Sequence, residues 1–224
     1  MLHNEARKLL IEAWNKTHLM VFIKRNLCMH QNRSVPYVQA KRKSWREHIS
    51  ENDANHLVFL DESGTNTNMT RHYARSKKNE RAVDSTPVNT PCSTTILSSV
   101  RLNGKTSYTV YCGGTTGERF AEYLKTKLIP TLSKTDVIVM DNMRSHHAKI
   151  VKQVLDESEI KYAYLPPYSP DLNPIEKMWS KLKAYLRKEK VRVASELPAA
   201  IERAFSTVRV SDCLGWFCSC NYVR

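Results

Sequence analysis

An α/β fold, a mixed five-stranded sheet flanked by helices, is predicted by three features of the sequence. Two short apolar runs, HLVFL at 56–60 and DVIVM at 136–140, have the length and composition of strands buried on both faces. Between them, TTILSSVRL (94–102) and TSYTVYC (106–112) are rich in β-branched and aromatic residues and flank Asn103-Gly104. Asn-Gly between such runs signals a hairpin, because both residues tolerate the positive φ of a type I′ turn. From residue 117 onward, helical and strand patterns alternate, as a parallel strand–helix–strand crossover requires.

Residues 1–50 read as a polar, basic N-terminal arm, and residues 51–224 as one folded domain. Within the arm a helix is expected from Glu5 to Trp14, with Ala6, Leu9, Leu10 and Trp14 at helical spacing. A short apolar patch (Leu19 to Ile23) and the basic stretch Lys41, Arg42, Lys43, Arg46 follow. No second helix with its turn completes a helix-turn-helix. The first strand ends at Asp61-Glu62-Ser63-Gly64, which reads as a loop. After the hairpin, a helix over about 117–130 turns Phe120, Ala121, Leu124, Leu128 and Ile129 to one side. The second apolar strand ends in Asp141-Asn142. A helix over about 145–157 should turn Ile150, Val151, Val154 and Leu155 inward, before a strand at 160–165. Beyond the Pro-rich loop 166–174, one helix carries Ile175, Met178, Trp179, Leu182 and Leu186. The last, about 196–208, carries Leu197, Ala200, Ile201, Ala204, Phe205 and Val208.

Charge narrows the partner. Thirty-five Lys and Arg against 22 Asp and Glu leave a net +13, and such a surplus favours a polyanion whose counterions are released on contact. No apolar stretch approaches the length of a membrane span, and no cleavage signal is present, so an intracellular protein without a membrane partner is expected. The six cysteines, at 28, 92, 112, 213, 218 and 220, show no CxxC spacing and read as free thiols rather than a zinc site.

Three carboxylates stand out by placement. Asp61 and Asp141 each end an apolar strand, where open α/β sheets form their ligand crevice. Glu176 lies in the first turn of the helix beginning at Pro174, with 34 residues separating it from Asp141, enough for a helix, a strand and a loop to bring the chain back. Three hard oxygen donors without ligand-spaced His or Cys suit Mg²⁺ or Mn²⁺, and such a site can hold two ions for phosphodiester chemistry. Each carboxylate also has a structural reading. Asp61 can form a turn, Asp141-Asn142 can cap a helix, and Asn173-Pro174-Ile175-Glu176 matches a capping box.

The motifs LDES (60–63), MDN (140–142) and LPPYSPDLNPIEKMWSKLK (165–183) resemble those of mariner-like and bacterial insertion-sequence transposases. Lesser matches are GTNTNMTRHYARS (64–76), ERAVDSTP (80–87), Asp212-Cys213 and Trp216-Phe217. The resemblance implies an RNase H-like catalytic domain over 51–224, with Asp61, Asp141 and Glu176 as the catalytic and metal-binding triad. It implies two Mg²⁺ (or Mn²⁺) ions, hydrolysis at a transposon end, and attack of the freed 3′-hydroxyl on target DNA. Asn142 and His146 would support the site, and Arg71, Arg75, Arg81, Lys177 and Lys181 would contact DNA. A homodimer on double-stranded DNA, in the cytoplasm or nucleoid, is the corresponding expectation. Members also carry an N-terminal helix-turn-helix region of roughly a hundred residues; this length leaves no room for it, so a truncated copy is expected. A DNA-binding remnant without activity, or a structure-specific nuclease of the same fold, would share these features.

Overall fold

The computed structural model describes residues 35–49, 51–71, 73–88, 90 and 93–223. The helix expected at 5–14 and the patch at 19–23 lie outside them. Five strands build one sheet: β1 (Leu57–Thr65), β2 (Thr94–Arg101), β3 (Thr106–Cys112), β4 (Val137–Met140) and β5 (Lys161–Tyr164). Their order is β3-β2-β1-β4-β5, antiparallel from β3 to β1 and parallel from β1 to β5. The mixed sheet expected from the sequence is therefore present.

Helices α1 (Pro36–Ile49), α2 (Gly117–Tyr123), α3 (Lys149–Ser158), α4 (Pro174–Glu189), α5 (Leu197–Ser206) and α6 (Val210–Ser219) cover the sheet. The pleat of β1 decides which face each helix meets. Leu57 and Phe59 join a core with Met178, Trp179, Ile201 and Phe217, drawn from α4, α5 and α6. Val58 and Leu60 join a second core with Phe120, Leu124, Val151 and Leu155, drawn from the α2 and α3 segments. Both faces of the central strands are thus buried, which is why they read as unbroken apolar runs rather than alternating ones.

Several boundaries differ from the sequence reading. β1 does not stop at Asp61: it pairs with β2 as far as Thr65 opposite Thr94, so 61–64 is strand rather than loop. The hairpin is not type I′. Only Gly104 takes positive φ (81°), Gly104 N–H donates to Arg101 C=O, and Asn103 Oδ1 accepts from Lys105 N–H. The helix expected to reach 130 loosens into a π turn at Leu124–Leu128 and a 3₁₀ turn at Ile129–Thr131, where Pro130 lacks the N–H to continue it. The next helix begins four residues late, after a 3₁₀ turn at Arg144–His147, and this leaves Ile150 exposed rather than inward.

Two helices were not anticipated. The basic stretch lies within α1, where Val38 and Ile49 are buried. Arg42 pairs there with Asp171 at 2.6 Å, and Trp45 Nε1–H donates to Tyr222 Oη at 3.2 Å. At the other end α6 follows α5, and Asp212 Oδ2 in its first turn accepts from Arg209 N–H at 2.8 Å. Phe217 meets Phe59 edge-on at 5.4 Å, so α6 is part of the core beneath β1. Cys112 is disulfide-bonded, which corrects the expectation of free thiols throughout; Cys213, Cys218 and Cys220 are free. Among the described residues no helix is long and apolar enough to cross a membrane.

Candidate active site

The parallel pairing of β1 with β4 sets Leu60 beside Met140, so Asp61 and Asp141 are next in line on neighbouring strands. Asp61 points to the α4 side with Leu57 and Phe59. It is buried, its Oδ1 accepts from Glu62 N–H at 2.8 Å, and its Oδ2 accepts from Trp179 Nε1–H at 3.2 Å. Burial, then the negative charges of Glu176 and Asp141, push its carboxyl up to about 8, against the stabilising Glu62 N–H.

Asp141 sits where β4 gives way to the 3₁₀ turn. Its Oδ1 lies 2.9 Å from His146 Nδ1 and accepts from Met143 N–H at 2.9 Å. Burial opposes its charge, but the bonds from His146 and Met143 and the positive field of His146 and His147 hold it below the usual carboxylate range.

Glu176 occupies the third position of α4. The capping box that could have explained it is not made: Asn173 forms no side-chain cap bond, and its buried Oδ1 has no hydrogen-bond partner. Burial and Asp141 raise the Glu176 carboxyl, with Lys183 opposing. Asp141 and Glu176 line a cleft of about 380 Å³ whose other wall includes Pro166, Pro167, Tyr168 and Asn173.

The donor chemistry fits a divalent cation, since three hard carboxylate oxygens repel one another until a positive charge joins them. Among the described residues no three such groups stand at coordination distance from one point.

The remaining expected residues divide. Asn142 donates from Nδ2 to Leu165 C=O and so ties the ends of β4 and β5 together. His146 is fully buried between Asp141 and Glu62, under the Phe120 ring. Burial opposes its positive charge, but the two carboxylates outweigh it and raise its pKa to about 10. Arg71, Arg75 and Arg81 are exposed along the irregular chain between β1 and β2. Lys177 is exposed on α4, whereas Lys181 forms an ion pair with Asp212 and is half-buried. Two partners of the site were missed. Trp179 was read only as core, and Glu62 as loop; a strand carried two residues further would have turned Glu62 inward.

A family model described as DDE superfamily endonuclease matches residues 56–198, which include all three carboxylates. The chain belongs to the DDE superfamily of endonucleases. Among solved structures, the Mos1 mariner paired-end complex with Mn is similar at 17% identity and TM-score 0.67, over 81% of this chain and 59% of that one. The Mos1 transposase paired-end complex with the left transposon end is similar at 15% and 0.66, over 80% and 57%. The Mos1 transposase catalytic domain with raltegravir and Mg is similar at 15% and 0.61, over 81% and 89%. This DDE endonuclease chain therefore has the RNase H-like catalytic fold and spans 57% to 59% of the length of the two paired-end structures. No curated protein sequence matches it.

Proposed function

We propose that this chain is the catalytic part of a DNA transposase, which hydrolyses a phosphodiester at a transposon end and transfers the freed strand to target DNA. The observation that carries the reading is Asp61. A carboxylate pushed up to about 8 by burial first, and then by the charges of Glu176 and Asp141, is poorly placed alone and well placed beside divalent cations. Asp61, Asp141 and Glu176 would hold two Mg²⁺ or Mn²⁺ ions. Such ions activate an attacking oxygen and stabilise a leaving oxygen.

The chain's own residues do the positioning. Trp179 and the Glu62 N–H fix both oxygens of Asp61. Asn142 holds the β4 end against the loop that leads to Glu176, and α4 brings Glu176 to the cleft. No protein nucleophile is required, because the attacking group is water and then the 3′-hydroxyl. The net +13 charge, with Arg71, Arg75, Arg81 and Lys177 exposed, supplies backbone contacts to double-stranded DNA. The similar Mos1 complexes hold a transposon end and Mn, which supports the same partner and metal class here. Action as a homodimer, in the cytoplasm or nucleoid, completes the reading.

The test is a joining assay with a labelled duplex ending in the element's terminal sequence, a supercoiled target and either Mg²⁺ or Mn²⁺. End cleavage followed by label on the target is expected. DNA binding with a steep salt slope but no cleavage in either metal would refute catalysis and leave a DNA-binding remnant. Cleavage confined to RNA–DNA hybrids or junctions would make it a structure-specific nuclease.

A further inference from the structure

Glu62 lies next to Asp61 in β1, and the pleat sends the two side chains to opposite faces of the sheet. Asp61 meets α4, while Glu62 passes to the side of Phe120 and the 3₁₀ turn. Its side chain is 6% exposed, and both of its oxygens, at 3.1 and 3.0 Å, face Nε2 of His146. The opposite nitrogen, Nδ1, lies 2.9 Å from Asp141 Oδ1 and 3.2 Å from the Asp141 carbonyl oxygen. The Phe120 ring covers the imidazole at 4.2 Å, and Tyr164 Oη donates to the His146 carbonyl at 3.1 Å. Carboxylate oxygens thus stand at both ring nitrogens.

We propose that Glu62 is a positioning residue that fixes the Asp141 carboxylate through His146. The inference rests on Asp141 being a metal ligand, as proposed above. A carboxylate rotates readily about its last torsion, which is broad and shallow. An imidazole bonded at Nδ1 alone could follow it. Anchoring Nε2 on Glu62 immobilises the ring, and the ring then holds Oδ1, where the Met143 N–H also bonds. Asp141 itself lines the cleft. β1 therefore supplies the site twice: one residue as a ligand, the next as the anchor for the ligand on β4. Partners of this kind, one bond behind a ligand, change metal affinity or activity by about 10- to 100-fold when removed.

Glu62→Gln keeps the shape and one acceptor but replaces a charge-assisted bond by a weaker neutral one; Glu62→Ala removes the anchor. Mn²⁺ binding is followed by the loss of the free-ion EPR signal, alongside DNA affinity, thermal stability and the Mn²⁺ dependence of plasmid nicking. The half-saturating Mn²⁺ concentration should rise from wild type to Glu62→Gln to Glu62→Ala, the last by about 10- to 100-fold, with DNA affinity unchanged. Should Glu62→Ala not fold, Glu62→Gln alone decides. If Glu62→Gln binds Mn²⁺ as wild type does, or loses only stability, the inference is overturned. Wild-type protein that binds no Mn²⁺ overturns the metal reading, and this inference with it.

Discussion

Replacing Asp61 by Asn should make the metal-free protein more stable at neutral pH while abolishing its chemistry. The Asp61 carboxyl is raised from 3.8 to about 8 in the folded chain. Between those values the folded state holds a proton that the unfolded state has released, so stability falls as pH rises through this window. At roughly 1.4 kcal/mol per pH unit, the penalty at pH 7 is at most about 4 kcal/mol. Asn has one oxygen where Asp61 uses two, for Glu62 N–H and Trp179 Nε1–H, and losing one bond returns about 1 kcal/mol. A net gain of about 1–3 kcal/mol, or about 2–10 °C in Tm for a chain of this size, is expected in EDTA at pH 7. The gap should narrow as pH falls and be gone below about pH 3, where the wild-type carboxyl is protonated in both states. Thermal melts of both proteins across that range measure it. An Asn variant less stable than wild type at pH 7, or a gap independent of pH, would refute the reasoning.

Three further outcomes follow from single contacts. Asp136 is buried among Arg101 Nη2 (2.6 Å), His56 Nδ1 (3.1 Å) and Ser133 N–H (2.8 Å), and Asp136→Ala should destabilise by about 2–4 kcal/mol in urea at pH 7. Burial opposes the charge of Asp136, but these partners hold its pKa below the usual carboxylate value. Its contribution is therefore present at neutral pH and lost in acid, so the difference between wild type and variant should shrink toward pH 2. Gly117→Ala would place a Cβ 2.7 Å from the Cβ of Ala148, forcing the starts of α2 and α3 apart; a thermal melt should show a loss of about 1–3 kcal/mol. Lys177→Ala should weaken DNA binding about equally for all sequences and reduce the salt slope by about 1. Lys181→Ala, already engaged with Asp212, should change the slope less and lower thermal stability instead.

Much of the fold was legible because burial on both faces leaves a plain mark. HLVFL and DVIVM read as strands and became β1 and β4, and the stripes from Ile175 to Leu186 and from Leu197 to Phe205 became α4 and α5. The polar residue after each apolar run also marked Asp61 and Asp141, which follow the last pair of the β1–β4 ladder, although β1 itself continues past Asp61. The continuation of β1 to Thr65 was hidden, because pairing with β2 overrides the weak strand preference of Asp, Glu and Gly. Glu62 was lost with it. α6 was invisible for another reason: VSDCLGWFCS has a Gly in its interior and is held by Phe217 against Phe59, a long-range contact with no local signal. For Glu176, sequence could not separate ligand from cap. The unpartnered Asn173 Oδ1 shows that the capping box is not made.

The most direct test of the central claim is plasmid nicking at fixed salt, in Mg²⁺ and in Mn²⁺, by wild type and by Asp61→Asn, Asp141→Asn and Glu176→Gln. Nicking by wild type in either metal, reduced to background in each variant while all four proteins stay folded and bind DNA, is the expected result. Nicking that persists undiminished in all three variants would contradict it.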